Sequence, residues 1–126
     1  VEDPSLLTAN RRAFTVMVRN YFFRMVELFA LEKEEALEEM TSYLDVTPDW
    51  PAAMDDYFDE YDDLGIGQEA RGKQYFVCQQ EGRIWSVRQI FADPEGDNGY
   101  ALVGIVDLDA SDEAGEVRLR SLELER

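Results

Sequence analysis

An α+β fold, with helices in the first half and a curved antiparallel four-stranded meander in the second, is what this sequence predicts. Two observations carry the prediction. Apolar residues recur at helical spacing as far as Leu64 and at a period of two from Gln74 onward. The last apolar run then changes parity midway, with Val117 and Leu119 on one side and Leu122 and Leu124 on the other, which only a bulge or a bend reconciles. At 126 residues, 45% apolar and 12% aromatic, the chain has material for one core and does not have the composition of a disordered segment.

Residues 1–8, opening Val-Glu-Asp-Pro-Ser, read as an arriving linker, and a fragment of a longer protein is the expectation. The helical part is placed at 9–65. Thr8 is the expected N-cap of a long first helix, in which Phe14, Val18, Tyr21, Met25 and Leu28 recur at helical spacing while Phe22, Val26 and Phe29 widen the stripe. A helix apolar around most of its circumference must be buried on more than one side. A second helix is predicted from Glu32 to about Tyr43, with Ala36, Leu37 and Met40 on one face. Asp49-Trp50-Pro51 starts a third, because proline is favoured in a first turn, and Leu64-Gly65 closes it. Its inner stripe is Met54, Tyr57, Phe58 and Tyr61, and its outer face is acidic.

The sheet is placed at 74–125. Strands are predicted at about Gln74–Gln80 and Arg83–Ala92, joined by a tight Glu81-Gly82 turn, then at Tyr100–Leu108 and Glu116–Glu125, with 93–99 and 109–115 as loops. The parity change puts a bulge near Arg120-Ser121. Three helices followed by a strongly bent meander are similar to the nuclear-transport-factor-two-like fold, a cone in which a curved sheet wraps a long helix.

The net charge of −16 repels phosphate backbones at long range, but its distribution is uneven. Residues 1–26 carry four arginines, Arg11, Arg12, Arg19 and Arg24, against Glu2 and Asp3. In residues 27–69 fifteen acids face Lys33 alone. Four cations near the start of a helix oppose its dipole, so something else must stabilise them. Pairing with the acidic third helix is one reading. Docking on an acidic protein surface or a nucleic-acid backbone, where guanidinium forks excel, is the other.

The chain has no histidine, which excludes Ser-His-Asp, Cys-His and histidine-metal chemistry. Cys78, the single cysteine, admits no internal disulfide and reads as a packing residue. Carboxylates are the remaining acid–base groups. Asp107, sharing parity with Val103 and Ile105, and Glu27, inside the apolar run of the first helix, are the candidates for a pocket lined also by Trp85 and Tyr100. Neither acidic loop has glycine at position 6 and glutamate at position 12 of a calcium loop, and no metal site is expected. No phosphate-binding glycine loop is present, so no cofactor is expected in this domain. With no long apolar run and no signal-peptide pattern, the chain is expected to be soluble and cytoplasmic.

The segments Leu7-Thr8-Ala9-Asn10-Arg11-Arg12-Ala13-Phe14, Val16-Met17-Val18-Arg19-Asn20 and Arg24-Met25-Val26-Glu27-Leu28 resemble the carboxy-terminal domain of unknown function of bacterial DEAD/DEAH-box superfamily II helicases. The likeness extends through Asp56–Asp62, Trp85–Phe91, Asp93–Asp97 and the Asp107-Leu108-x-Ala110-Ser111-Asp112-Glu113 run. It implies an accessory domain behind a helicase core that holds the ATP and magnesium residues, with that core as partner, RNA or DNA reached through it, and no chemistry assigned to the domain itself. A ligand-binding cone or a homodimerisation module is the alternative.

Overall fold

The computed structural model describes residues 6–125. It is α+β. A 3-10 turn at Leu7–Ala9 leads into α1 (Arg11–Ala30), followed by α2 (Glu34–Met40) and α3 (Trp50–Glu60). Two further 3-10 turns, Gln68–Arg71 and Lys73–Tyr75, precede β1 (Phe76–Glu81), β2 (Ile84–Ile90) and β3 (Ala101–Asp107). A short α4 (Leu108–Ala114) separates β3 from β4 (Leu119–Glu125). The four strands are antiparallel in the order β1-β2-β3-β4. No helix among the described residues is long and apolar enough to cross a membrane.

The predicted hairpin is present, with Glu81 opposite Ile84, so that Gly82 and Arg83 form the turn and Gly82 takes a φ of 57°. The predicted bulge is present as well. Ile105 faces Ser121 but Val106 faces Leu119, leaving Arg120 as the extra residue, and this slip returns Leu119, Leu122 and Leu124 to one side of the sheet. That side is covered by α1. Phe14, Val18, Phe22, Met25 and Phe29 are fully buried against Trp85, Val87, Leu102, Val106 and Leu122. The closest approach is at Gly104, where a Cβ would stand 2.7 Å from Phe22 Cζ, so only glycine lets the helix lie this near β3.

At the far end of α1, Phe29 stands at the centre of an aromatic cluster, with Tyr57 at 5.8 Å, Phe58 at 6.0 Å, Phe91 at 5.0 Å and Trp50 at 6.4 Å between ring centroids. Tyr61 and Tyr100 extend it through Tyr57. This cluster fastens α3 to both α1 and the sheet.

Several expected boundaries move, each for a local reason. The N-cap of α1 is Asn10, whose side chain accepts from Ala13 N at 3.0 Å, and Thr8 lies in the preceding turn. The second helix is cut to Glu34–Met40: Glu32 adopts a φ of 54° after α1, and Thr41 Oγ1 donates back to the Leu37 carbonyl at 2.8 Å. The third helix stops at Glu60 because Tyr61 swings into extended backbone to reach Asp97, at 2.7 Å. Gly65 instead bridges to Ala92, through a 2.9 Å hydrogen bond. The expected loop at 109–115 is α4, with Asp107 as its N-cap and Gly115, at a φ of 75°, ending it. Of the expected linker, 1–5 lie outside the described residues, whereas Thr8 is fastened to α4 by two hydrogen bonds.

Candidate functional site

The four arginines of α1 make no ion pair among the described residues. Pairing with the acidic α3, one of the two readings of the sequence, is therefore not what they do. Arg11 donates from Nε to Gln80 Oε1 at 2.6 Å. Arg19 donates from Nη2 to the Arg71 carbonyl at 2.7 Å and lies over the Phe76 ring at 5.6 Å. Arg12 and Arg24 are exposed and have no side-chain partner among the described residues. With Val16 and Asn20 they form a ridge at i+4 spacing, and Val16 is 50% exposed. Arg24 also borders an open groove of about 920 Å³ between α1 and α2, floored by Met17, Tyr21, Met40 and Tyr43. Inside it the Tyr21 and Tyr43 hydroxyls are 2.9 Å apart. Burial, then the hydrogen bond to Tyr43, pushes the Tyr21 hydroxyl pKa far up.

The remaining arginines of the sheet half behave differently. Arg88 meets Glu125 at 2.5 Å, Arg118 meets Glu116 at 2.6 Å, and Arg120 meets Asp107 at 3.1 Å. Arg83 binds Asp109 at 2.8 Å and Asp112 at 2.5 Å. Asp112 is the hub of a clamp, because its carboxylate also accepts from Thr8 N and Thr8 Oγ1, each at 2.8 Å. Burial raises its pKa, but the hydrogen bonds from Thr8 and Arg83 outweigh burial and leave it below the ordinary carboxylate range. Ser111 completes α4 by donating to the Asp107 carbonyl at 2.7 Å and accepting from Arg118 N at 2.8 Å.

The expected pocket residues are not gathered. Asp107 does share parity with Val103 and Ile105, but the face turned to α1 is that of Leu102, Gly104 and Val106, so Asp107 lies on the other side. It caps α4 through Ala110 N at 3.0 Å, and that bond leads in lowering its pKa, a state unsuited to taking up a proton at neutral pH. Trp85 packs against Phe14 at 5.3 Å, near the start of α1, whereas Tyr100 packs against Tyr57 at 5.1 Å, near its end. The 15 residues from Phe14 to Phe29 separate these two places by about 22 Å of helix. Glu27 is half-buried on α1.

Cys78 is half-buried and its thiol is held protonated by burial. In the 93–99 loop the Asp93 carboxylate accepts from the backbone of Glu95, Asp97 and Asn98 at 3.1, 2.9 and 2.8 Å, which shapes the turn from within. Among the described residues no three acids or cysteines come together to hold a metal ion.

A family model described as Domain of unknown function (DUF3516) matches residues 1–124. The chain belongs to this family. No curated protein and no solved structure matches it. Two of the stretches quoted above, Leu7–Phe14 and Asp107–Glu113, meet in the member described here, since Thr8 of the first binds Asp112 of the second. No pattern within either stretch pointed to that contact. Arg71 was missed too, although its Nη2 donates to Asn20 Oδ1 at 2.6 Å and its guanidinium lies 4.7 Å over Phe23. Its neighbours in sequence carry no signal, because the contact spans 51 residues.

Proposed function

We propose that this is a noncatalytic accessory domain that docks through the arginine-bearing flank of α1 on a larger ATP-driven machine. The superfamily II helicase core that the sequence resembles is the partner this reading favours, with nucleic acid reached through that core. One observation supports it most. Among the described residues Arg12 and Arg24 stay without carboxylate partners, in a chain with 28 acids, whereas Arg83, Arg88, Arg118 and Arg120 are all paired. Protein interfaces are enriched in arginine, and the ridge adds the exposed Val16 between the two guanidiniums. Nonspecific nucleic-acid binding has less support, because the strand-region aromatic rings that such binding would use for base stacking, Trp85, Phe91 and Tyr100, are buried. A ligand-binding cone has less support as well, because its four candidate residues are dispersed. The test is replacement of Arg11, Arg12, Arg19 and Arg24 by alanine in the full-length protein, followed by measurement of nucleic-acid-stimulated ATP hydrolysis and its salt dependence. A loss of stimulation with the fold intact is expected; wild-type stimulation and salt dependence would defeat the docking role.

A further inference from the structure

Arg19 of α1 and Arg71 of the Gln68–Arg71 turn come together although 52 residues separate them. Arg19 Nη2 donates to the Arg71 carbonyl at 2.7 Å, and Arg71 Nη2 donates to Asn20 Oδ1 at 2.6 Å. Each guanidinium also lies over a ring, Arg19 over Phe76 at 5.6 Å and Arg71 over Phe23 at 4.7 Å, so both are held in place. They border one shallow hollow together with the buried Gln89, whose amide nitrogen is engaged by the Tyr75 carbonyl at 3.0 Å. Two like charges drawn to one hollow repel each other, and the ordinary remedy is a carboxylate between them. None is placed there among the described residues, and the polar side chains at the site are the amides of Asn20 and Gln89.

We infer that Arg19 and Arg71 form a receptor for a tetrahedral oxyanion, a phosphate group. One guanidinium satisfies the two oxygens of a carboxylate by itself. Two held guanidiniums, each with one N–H engaged within the protein, have donors left for more than two oxygens, and phosphate supplies them together with a larger negative charge. The hollow holds only about 10 Å³, so the phosphate rests at its mouth and the rest of the ligand stays in solvent. The site shares Arg19 with the docking flank, but it goes beyond that reading and stands whether or not a helicase core is the partner.

The test is a titration of the chain followed by NMR signals of the arginine Nε–H groups and the Asn20 amide, at constant ionic strength. Inorganic phosphate, a short single-stranded oligonucleotide and acetate are the probes. Saturable shifts at Arg19, Arg71 and Asn20 with phosphate are expected, weakened at least about fivefold in Arg71→Gln and unchanged in Arg24→Gln. Binding of the oligonucleotide more than about tenfold tighter than phosphate would assign the group to a nucleic-acid backbone, and equal binding would assign it to a free phosphate group; either supports the site. No saturable shift at these residues, acetate binding as tight as phosphate, or undiminished binding by a folded Arg71→Gln would each overturn it. Because Arg12 and Arg24 lie outside the hollow, failure of this site leaves ATPase stimulation through those two residues untouched, and failure of the docking reading leaves the phosphate titration untouched.

Discussion

The sheet half and the helical flank handle arginine in opposite ways within one chain. Arg83, Arg88, Arg118 and Arg120 each reach a carboxylate within 3.1 Å, whereas Arg11, Arg19 and Arg71 bind amides or carbonyls and Arg12 and Arg24 reach no partner among the described residues. A shortage of acids cannot explain the difference in a molecule of charge −16. Position does. On and beside α1 the fold puts Asn20, Gln80 and Gln89, while β3, α4, β4 and the link between the last two bring Asp107, Asp112, Glu116 and Glu125 to their arginines. The sheet-half charges are engaged in holding the fold, and on the flank those of Arg12 and Arg24 are left to face outward.

The core beneath both sets provides the scale. Phe29→Ala, which removes the centre of the aromatic cluster, is expected to lower unfolding free energy in urea by about 3 to 5 kcal/mol. Next comes the clamp. Asp112→Ala should cost about 1 to 3 kcal/mol, because it strands Thr8 donors and an Arg83 N–H, and Thr8→Val should cost part of the same amount, non-additively. If Arg24→Gln cost as much as Asp112→Ala, the division between the two sets would be wrong.

Asp107→Ala removes the α4 cap and should cost about 1 kcal/mol by the same urea measurement. Acid titration sharpens the contrast further. The folded pKa values of Asp107 and Asp112 lie below the ordinary 3.8, so their contribution is complete above that value and is lost as pH falls through the lower folded values. Stability measured below about pH 4 should therefore fall less steeply in Asp107→Asn and Asp112→Asn than in the parent. The smallest effects are expected for Arg12→Gln and Arg24→Gln, within about 0.5 kcal/mol of the parent, since neither side chain has a partner to lose among the described residues.

Much of this arrangement was legible beforehand. The apolar stripe of α1 required burial on more than one side, the period of two from Gln74 onward required strands, and the parity change between Leu119 and Leu122 required the extra residue found at Arg120. The ends of elements were less legible. A seven-residue α4 has too few turns to show a period, although Asp107 and Gly115 were both in place as its start and stop signals. Tyr61 could not be seen to leave the helix, because the pull comes from Asp97, 36 residues away.

By itself the sequence determined the α+β class, the meander order and the identity of the buried stripe, because periodicity and turn chemistry act between near neighbours along the chain. Only the tertiary structure decided which side of β3 faces α1, that Thr8 meets Asp112, and that Arg19 meets Arg71 while Arg24 meets nothing among the described residues. These are contacts between residues far apart in sequence, set by how α1 crosses the sheet at Gly104, and no local pattern encodes them.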